Sequence, residues 1–248
     1  MKWNVNTYSR NAPYVPQYGE TLLAMLAPEP GEDILDLGCG EGSLTEKIAR
    51  LGCNVVGVDS SEPMVRAARQ RGLDALVVAG ENLDFADQFD AVFSNAALHW
   101  MKSADKVVEN VYRALRDDGR FCAELGARGN VGTIIAAVYR RLAGRNLDGD
   151  DYNPWYFPSK DEYCARLREF GFVVESVDLF RRPTPLVTGI EGWLETFAVP
   201  FLEDIPQSEH GEFVREVVAE VEGALKDKDG RWFADYVRLR FLARKGRR

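Results

Sequence analysis

The chain has 248 residues, 46% hydrophobic and 28% charged, which suits one large globular domain or a core with a cap. A net charge of −8 argues against non-specific binding to nucleic acid or to an anionic membrane, both of which call for a basic face. No apolar run approaches the roughly 20 residues that span a bilayer, and the first twenty residues lack the apolar core of a signal peptide. Cys39, Cys53, Cys122 and Cys164 are too scattered for a disulfide framework, and with His99 and His210 as the two histidines a histidine-rich metal site is excluded. A reduced, cytoplasmic protein is expected, with the basic end at 244–248 as a solvated tail.

Residues 1–19 carry Trp3, Tyr8, Tyr14 and Tyr18 among Asn and Pro, too aromatic for a disordered tail. Leu22, Leu23 and Leu26 have helical spacing over 20–26, and Pro28 and Pro30 end that helix. Ile34, Leu35 and Leu37 form an apolar run fit for a strand buried on both faces. Leu44, Ile48 and Leu51 share one helical stripe that Gly52 ends, and Val55, Val56 and Val58 make a second strand.

Helix and strand keep alternating: a helix at 63–71 with Pro63 in its first turn, strands at 73–78 and 89–94, a helix at 104–115, a turn at Asp117-Asp118-Gly119, a strand at 120–125 and a helix at 131–142. Such alternation implies right-handed crossovers and a mainly parallel sheet. Beyond 143 the texture changes. Residues 144–158 read as a loop containing Trp155, Tyr156 and Phe157, and 160–169 as a helix before a strand at 172–180, after which Pro183 and Pro185 break the chain. A short aromatic helix at 190–197 and a long amphipathic one at 209–225 precede a final strand at 232–244, where Tyr236, Arg238 and Arg240 alternate with Val237, Leu239 and Phe241. The expected fold is α/β: a doubly wound, Rossmann-like, mainly parallel seven-stranded sheet with an antiparallel C-terminal hairpin and a helical cap.

The chemistry concentrates between Asp33 and Asp59. Gly38, Gly40 and Gly42 give GxGxG after a strand and at the mouth of a helix, where glycine allows positive φ and close approach of a ligand. That pattern alone also fits a dinucleotide turn or a tight turn without ligand. Against a dinucleotide stand the GxGxG spacing, the acidic Asp36 just before the glycines, and Glu41, whose charge repels a phosphate. Asp59 ends the second strand 21 residues after Gly38, where a carboxylate can accept both hydroxyls of a ribose.

The stretch ILDLGCGEGSLTEKIA, with VVGVDSSEPMV behind it, resembles motifs I and II of class I S-adenosylmethionine (SAM)-dependent methyltransferases. The resemblance covers about 31–125 and extends more weakly to the end. It implies SAM as cofactor and S-adenosylhomocysteine (SAH) as product. By that likeness Gly38, Cys39 and Gly40 line the methionine moiety, Asp36 orients the loop and the ammonium end, and Asp59 holds the ribose. Ser60 and Met64 border the adenine, and the segment 79–85, with Gly80, Glu81 and Asn82, resembles the adenine-contacting loop. Asn95 and Tyr8 complete the implied cofactor set. The family often has Asp where this chain has Ala79, which leaves Glu81 or the backbone of Gly80 and Glu81 to meet the adenine amine. The implied organisation is a lid at 1–30, a SAM-binding core at 31–143 and, at 144–248, the remaining strands with an inserted cap over the acceptor site, all in one structural domain.

The acceptor signal is SNAALHW, 94–100, which resembles the same loop of the trans-aconitate methyltransferase group; its LHW resembles a motif of plant carboxyl methyltransferases. The loop after the fourth strand faces the crevice where ligands sit in doubly wound sheets. His99 and Trp100 either pack the following helix or position the acceptor. A carboxylate acceptor is already ionised at neutral pH and requires no base, whereas a hydroxyl acceptor makes His99 the first candidate base. Arg128, Arg181 and Arg182 are candidate counter-charges for an anionic acceptor. Trp155, Tyr156, Phe157, Trp193 and Phe197 are cap core or pocket lining, and Tyr8, Tyr14 and Tyr18 are candidates for a closing lid. The reading is a SAM-dependent methyltransferase of a small molecule, with no metal, nucleic acid or membrane partner and a carboxylate oxygen as the favoured acceptor. The alternatives are transfer to a hydroxyl, amine, carbon or carrier-bound acyl group, or a module that binds SAM without catalysis.

Overall fold

A computed structural model describes residues 3–246. Strands β1 (Asp33–Leu37), β2 (Asn54–Asp59), β3 (Asp74–Val77), β4 (Phe89–Asn95) and β5 (Leu115–Gly126) are parallel, and β7 (Phe233–Lys245) runs antiparallel between β5 and the edge strand β6 (Phe172–Pro185), in the order β3-β2-β1-β4-β5-β7-β6. The chain runs outward from β1 to β3, then returns to β4 on the other side of β1. The sheet therefore reverses its winding between β1 and β4, and a crevice opens at their carboxyl ends.

Helices cover both faces. Helices α1 (Val5–Asn11), α2 (Tyr14–Leu26) and α3 (Ser43–Arg50) precede α4 (Glu62–Gln70) and α5 (Ala104–Ala114). Leu22, Leu26, Leu44 and Ile48 meet Ile34 and Phe93 on one side, while Val107, Val111 and Leu167 meet Leu35, Val92 and Phe121 on the other. Helices α2 to α5 turn their apolar stripes to the sheet. Helices α6 (Gly132–Ala143), α7 (Gly149–Tyr152) and α8 (Lys160–Glu169) follow β5, and α8 opens with a Ser159–Glu162 capping box. Between β6 and β7 come α9 (Gly189–Phe197) and α10 (His210–Leu225). The α10 stripe Phe213, Val217, Val221 and Leu225 is buried with Ile134 and Val138 of α6 and Trp193 of α9 in a core of their own.

Five expectations change. The N-terminal segment holds α1, and α2 starts at Tyr14, with Pro16 accommodated in its first turn. Pro183 and Pro185 do not break β6, because β6 is the sheet edge, where an absent N–H leaves no ladder unpaired. Residues 117–119 lie within β5 as a bulge: pairing jumps from Phe89↔Leu115 to Ala91↔Arg120, with Asp118 at φ +64°. The basic end is not all tail: Lys245 is 2% exposed, bonded to Asp87 at 2.8 Å and to the Leu115 carbonyl; Arg247 and Arg248 lie outside the described residues. The loop expected at 144–158 contains α7. All four cysteines are buried and free, no helix is long and apolar enough to cross a membrane, and no metal-binding cluster occurs among the described residues.

Candidate active site

The turn after β1 is fastened to the end of β2. The N–H groups of Gly38 and Cys39 both donate to the Val58 carbonyl, at 2.8 and 3.0 Å, and that of Gly40 donates to Asp59 Oδ2 at 3.0 Å. These donors are satisfied within the protein, so residues 38–40 form no cradle of free N–H groups for a phosphate. Glu41 plays a smaller part in this than its position in the sequence suggests, since its carboxylate is turned to Ser43 and Arg71. Gly38, at φ +78°, has no space for a side chain: a Cβ there would lie 2.2 Å from the Ala97 Cβ. Gly40, at φ +56°, faces open space, with nothing within 4 Å of such a Cβ.

Two carboxylates stand at this end. Asp59 accepts from Gly40 and, through Oδ1, from the Ser61 N–H at 2.8 Å. One acceptor direction on each oxygen is left over. Burial raises its pKa, opposed by those two N–H groups. Asp36 is 2% exposed and accepts from Thr45 Oγ1 at 2.6 Å. Burial, with the charge of Asp59 adding to it, pushes its carboxyl up to about 7.

An open cleft runs from here along the carboxyl ends of β1, β2 and β4. Tyr8, Gly38, Gly40, Asp59, Ser60, Met64, Gly80, Glu81, Asn95, His99 and Trp100 line it. Asp36 and Cys39 line a recess that shares Tyr8, Gly38, Gly40 and Asn95 with the cleft. Asn82 is exposed and lies outside both: it ends a single turn, Gly80–Asn82, whose Gly80 and Glu81 carbonyls accept from Asn110 Nδ2 at 3.2 and 2.9 Å. Ala96 and Val131, non-glycine residues at φ +57° and +47°, also line the cleft; held strain of this kind gathers at working sites.

The far half is aromatic. Trp100 meets Trp3 at 5.0 Å and Trp155 at 5.4 Å between ring centroids, and Trp155 stacks on Phe157 at 5.7 Å. Tyr156 belongs elsewhere, bonded to Glu162. His99 is buried and its Nδ1 accepts from the Gly126 N–H at 3.1 Å, so the ring's own proton sits on Nε2. Burial, then the charge of Arg238, holds its pKa well below 6.5. A neutral ring with a proton on Nε2 is a donor, which overturns His99 as a base toward the cleft.

The expected arginines do not face the cleft. Arg128 is largely exposed beside Glu162, Arg181 lies on the edge strand, and Arg182 holds Glu124 through both oxygens at 2.6 and 2.8 Å. Arg238 is the cation that lines the cleft among the described residues. It is 6% exposed, its Nε and Nη1 are buried with no hydrogen-bond partner, and its guanidinium lies 4.2 Å over the Tyr236 ring. Burial lowers its pKa. The nearby Glu124 also takes Arg240, at 2.7 and 3.0 Å, so one carboxylate answers two neighbouring guanidiniums and Arg238 is left over. The alternation Tyr236, Arg238, Arg240 was visible in the sequence. That the middle arginine lacks an anion depends on pairing across β5, β6 and β7.

A family model described as a methyltransferase domain matches residues 35–123. An uncharacterized methyltransferase of Schizosaccharomyces pombe is 40% identical over 98% of both chains. A trans-aconitate 2-methyltransferase of Paracidovorax citrulli is 24% identical over 98% of both. The crystal structure of an S-adenosylmethionine-dependent methyltransferase from Mesorhizobium loti superposes with a TM-score of 0.56 at 19% identity, covering 91% of this chain and 96% of that one. Fold, crevice and these likenesses define an enzyme of the class I methyltransferase type. The chain belongs to the methyltransferase family, with SAM as cofactor and SAH as product. The cleft fits that cofactor: there is open space over Gly40, unused acceptor capacity on Asp59, and no phosphate cradle at 38–40.

Proposed function

We propose that the acceptor is a small molecule and that its accepting atom is a carboxylate oxygen. The observation that carries this is Arg238, a buried guanidinium with two unpartnered nitrogens on the wall of the cleft. Leaving charged donors unpaired in a desolvated site costs several kcal/mol, on the order of a buried ion's penalty. A planar anion that accepts from the guanidinium relieves that cost, and a carboxylate has the matching geometry.

In this reading Gly38, Cys39 and Gly40 meet the methionine end of the cofactor and Asp36 its ammonium. Asp59 accepts from the ribose hydroxyls, and Ser60, Met64, Gly80 and Glu81 border the adenine. Bound SAM supplies a methyl on a sulfonium: a carboxylate oxygen pair takes that methyl, the C–S pair stays on sulfur, and no proton moves. The chain's task is then binding, alignment and exclusion of water. Arg238 holds the acceptor's charge. His99 presents the proton on Nε2, and Trp100 its indole N–H, which has no partner among the described residues. Tyr8 and Trp3 close the mouth. The name of the trans-aconitate relative supports the same acceptor class.

The test is methyl-labelled SAM with matched carboxylic acids, amides, alcohols and amines, and mass spectrometry of the products. Base-labile methyl esters are expected from the acids. Label confined to amines or alcohols overturns the reading.

A further inference from the structure

We infer that the acceptor is a monocarboxylate with a flat apolar body, such as an aryl-substituted or unsaturated acid, and that polycarboxylates are rejected. This rests on the carboxylate reading above and narrows it through two further observations.

The first is the charge along the cleft. Among the described residues its lining offers one cation, Arg238, and two acids, Asp59 and Glu81, both at the end formed by β1, β2 and the turn after β3. Tyr8 marks the boundary. Its hydroxyl is raised far above 10 by burial, then by Tyr236, Glu41 and Asp59, while Arg238 opposes them. Arg182 and Arg240 are committed to Glu124, so a second acceptor carboxylate finds no free guanidinium among the described residues of the cleft. It would lie unpaired among aromatic rings or beside Asp59 and Glu81, and an unpaired buried carboxylate is strongly disfavoured.

The second observation is the shape and chemistry of the remaining wall. Trp3, Trp100, Trp155, Phe157, Trp193 and Phe197 form an unbroken set of ring contacts. Trp100 and Phe197 lie 30° from parallel at 6.4 Å, and Trp155 and Phe157 15° from parallel at 5.7 Å. Large planar faces of this kind bury a flat hydrocarbon surface well. A ring cage can also hold a quaternary ammonium, but the unpaired Arg238 beside this one repels a cation. Trp193 is not free to turn: its Nε1 donates to the Tyr236 hydroxyl at 2.7 Å, and that hydroxyl also meets Tyr14 at 2.9 Å. The same tyrosine therefore fixes one ring of the apolar wall and supports the guanidinium at 4.2 Å. Charge anchor and apolar wall are built as one unit.

The experiment measures acceptor binding to the full chain saturated with SAH, by calorimetry and tryptophan fluorescence. The probes are 3-phenylpropionate, its amide, phenethylamine, acetate and trans-aconitate, which carries three carboxylates. We expect 3-phenylpropionate to bind at least tenfold more tightly than acetate or trans-aconitate. Arg238→Met should weaken it at least tenfold and leave the amide unchanged, and Trp155→Leu should weaken it without altering acetate. Circular dichroism of each variant separates lost binding from lost folding. Tighter binding and methylation of trans-aconitate would overturn the monoacid inference and leave the carboxylate reading standing. Preference for the amine or amide would remove both. Absence of 3-phenylpropionate binding at millimolar concentration would also overturn the inference.

Discussion

Gly126 and His99 are joined by a hydrogen bond that runs in one direction only: a peptide N–H donates and cannot accept, so Nδ1 is committed as the acceptor at 3.1 Å. Imidazole is thereby locked as one tautomer, and its buried ring resists protonation. Turnover should therefore show no ionisation of His99: kcat for an acid acceptor should stay flat from about pH 6 to about pH 9. His99→Ala should lower kcat roughly tenfold to a hundredfold through misplacement of the acceptor. A kcat that climbs through one ionisation near 6.5, and does so in the Asp36→Asn variant as well, would reinstate the ring as a base.

Arg238 invites a comparison of stability with activity. Replacing a buried, incompletely paired charge by an apolar residue of similar volume is commonly neutral or stabilising by about 1–4 kcal/mol. Arg238→Met should thus leave the denaturant midpoint unchanged or raised while acid methylation falls at least tenfold. A midpoint lowered by more than about 2 kcal/mol in stability would mean that the guanidinium serves the fold instead.

The glycines of the turn should separate by position. A side chain at Gly38 collides with Ala97 across the crevice, whereas one at Gly40 meets only the cleft. Gly40→Ala should fold with a loss of about 1–2 kcal/mol from its left-handed backbone and lose most of its affinity for SAH. Gly38→Ala should lower both the melting temperature and expression. Thermal melts with and without SAH read the two effects apart, and equal melting of the two variants would count against this division.

Asp36 predicts a pH dependence of defined sign. Burial raises its folded carboxyl to about 7, above the ordinary 3.8 of an exposed aspartate, so between those values the native state holds more protons than the unfolded one. Stability from this group is full below the unfolded value and falls as pH rises toward 7. Asp36→Asn, which can still accept from Thr45, should gain stability relative to the parent chain as pH climbs from about 4 to about 7. The thermal shift conferred by SAM, a net cation, should grow over the same window in the parent chain and not in the variant. A difference between the two proteins that does not vary with pH would rule out the perturbed carboxyl.

Much of this architecture was legible because it is local. The apolar runs of β1 and β2, the glycines between them and the stripe of α10 each declare themselves within a few residues. What stayed hidden depends on partners far along the chain. Pro183 and Pro185 look like breakers until β6 is known to be the sheet edge. Glu41 looks like a guard against phosphate until Arg71 is seen beside it. His99 looks like a base until Gly126 is found on its Nδ1. Arg238 was passed over in favour of Arg128, Arg181 and Arg182 because an unpaired charge is a property of its neighbours, and those neighbours come from three strands.

The double engagement of Glu124 has a further consequence. Arg238 stands opposite Gly126, and Glu124 lies one diagonal step away on the same sheet face, about 7–8 Å in strand geometry. Its hunger for an anion persists because Arg182 and Arg240 keep that carboxylate occupied. Arg182→Leu, on the outer strand, would vacate one edge of Glu124 and offer Arg238 an internal mate. The pocket would then quench itself, silenced by a change at a residue that does not line it. Substrate appetite in this enzyme is thus guarded by an ion pair whose own job is to stay closed.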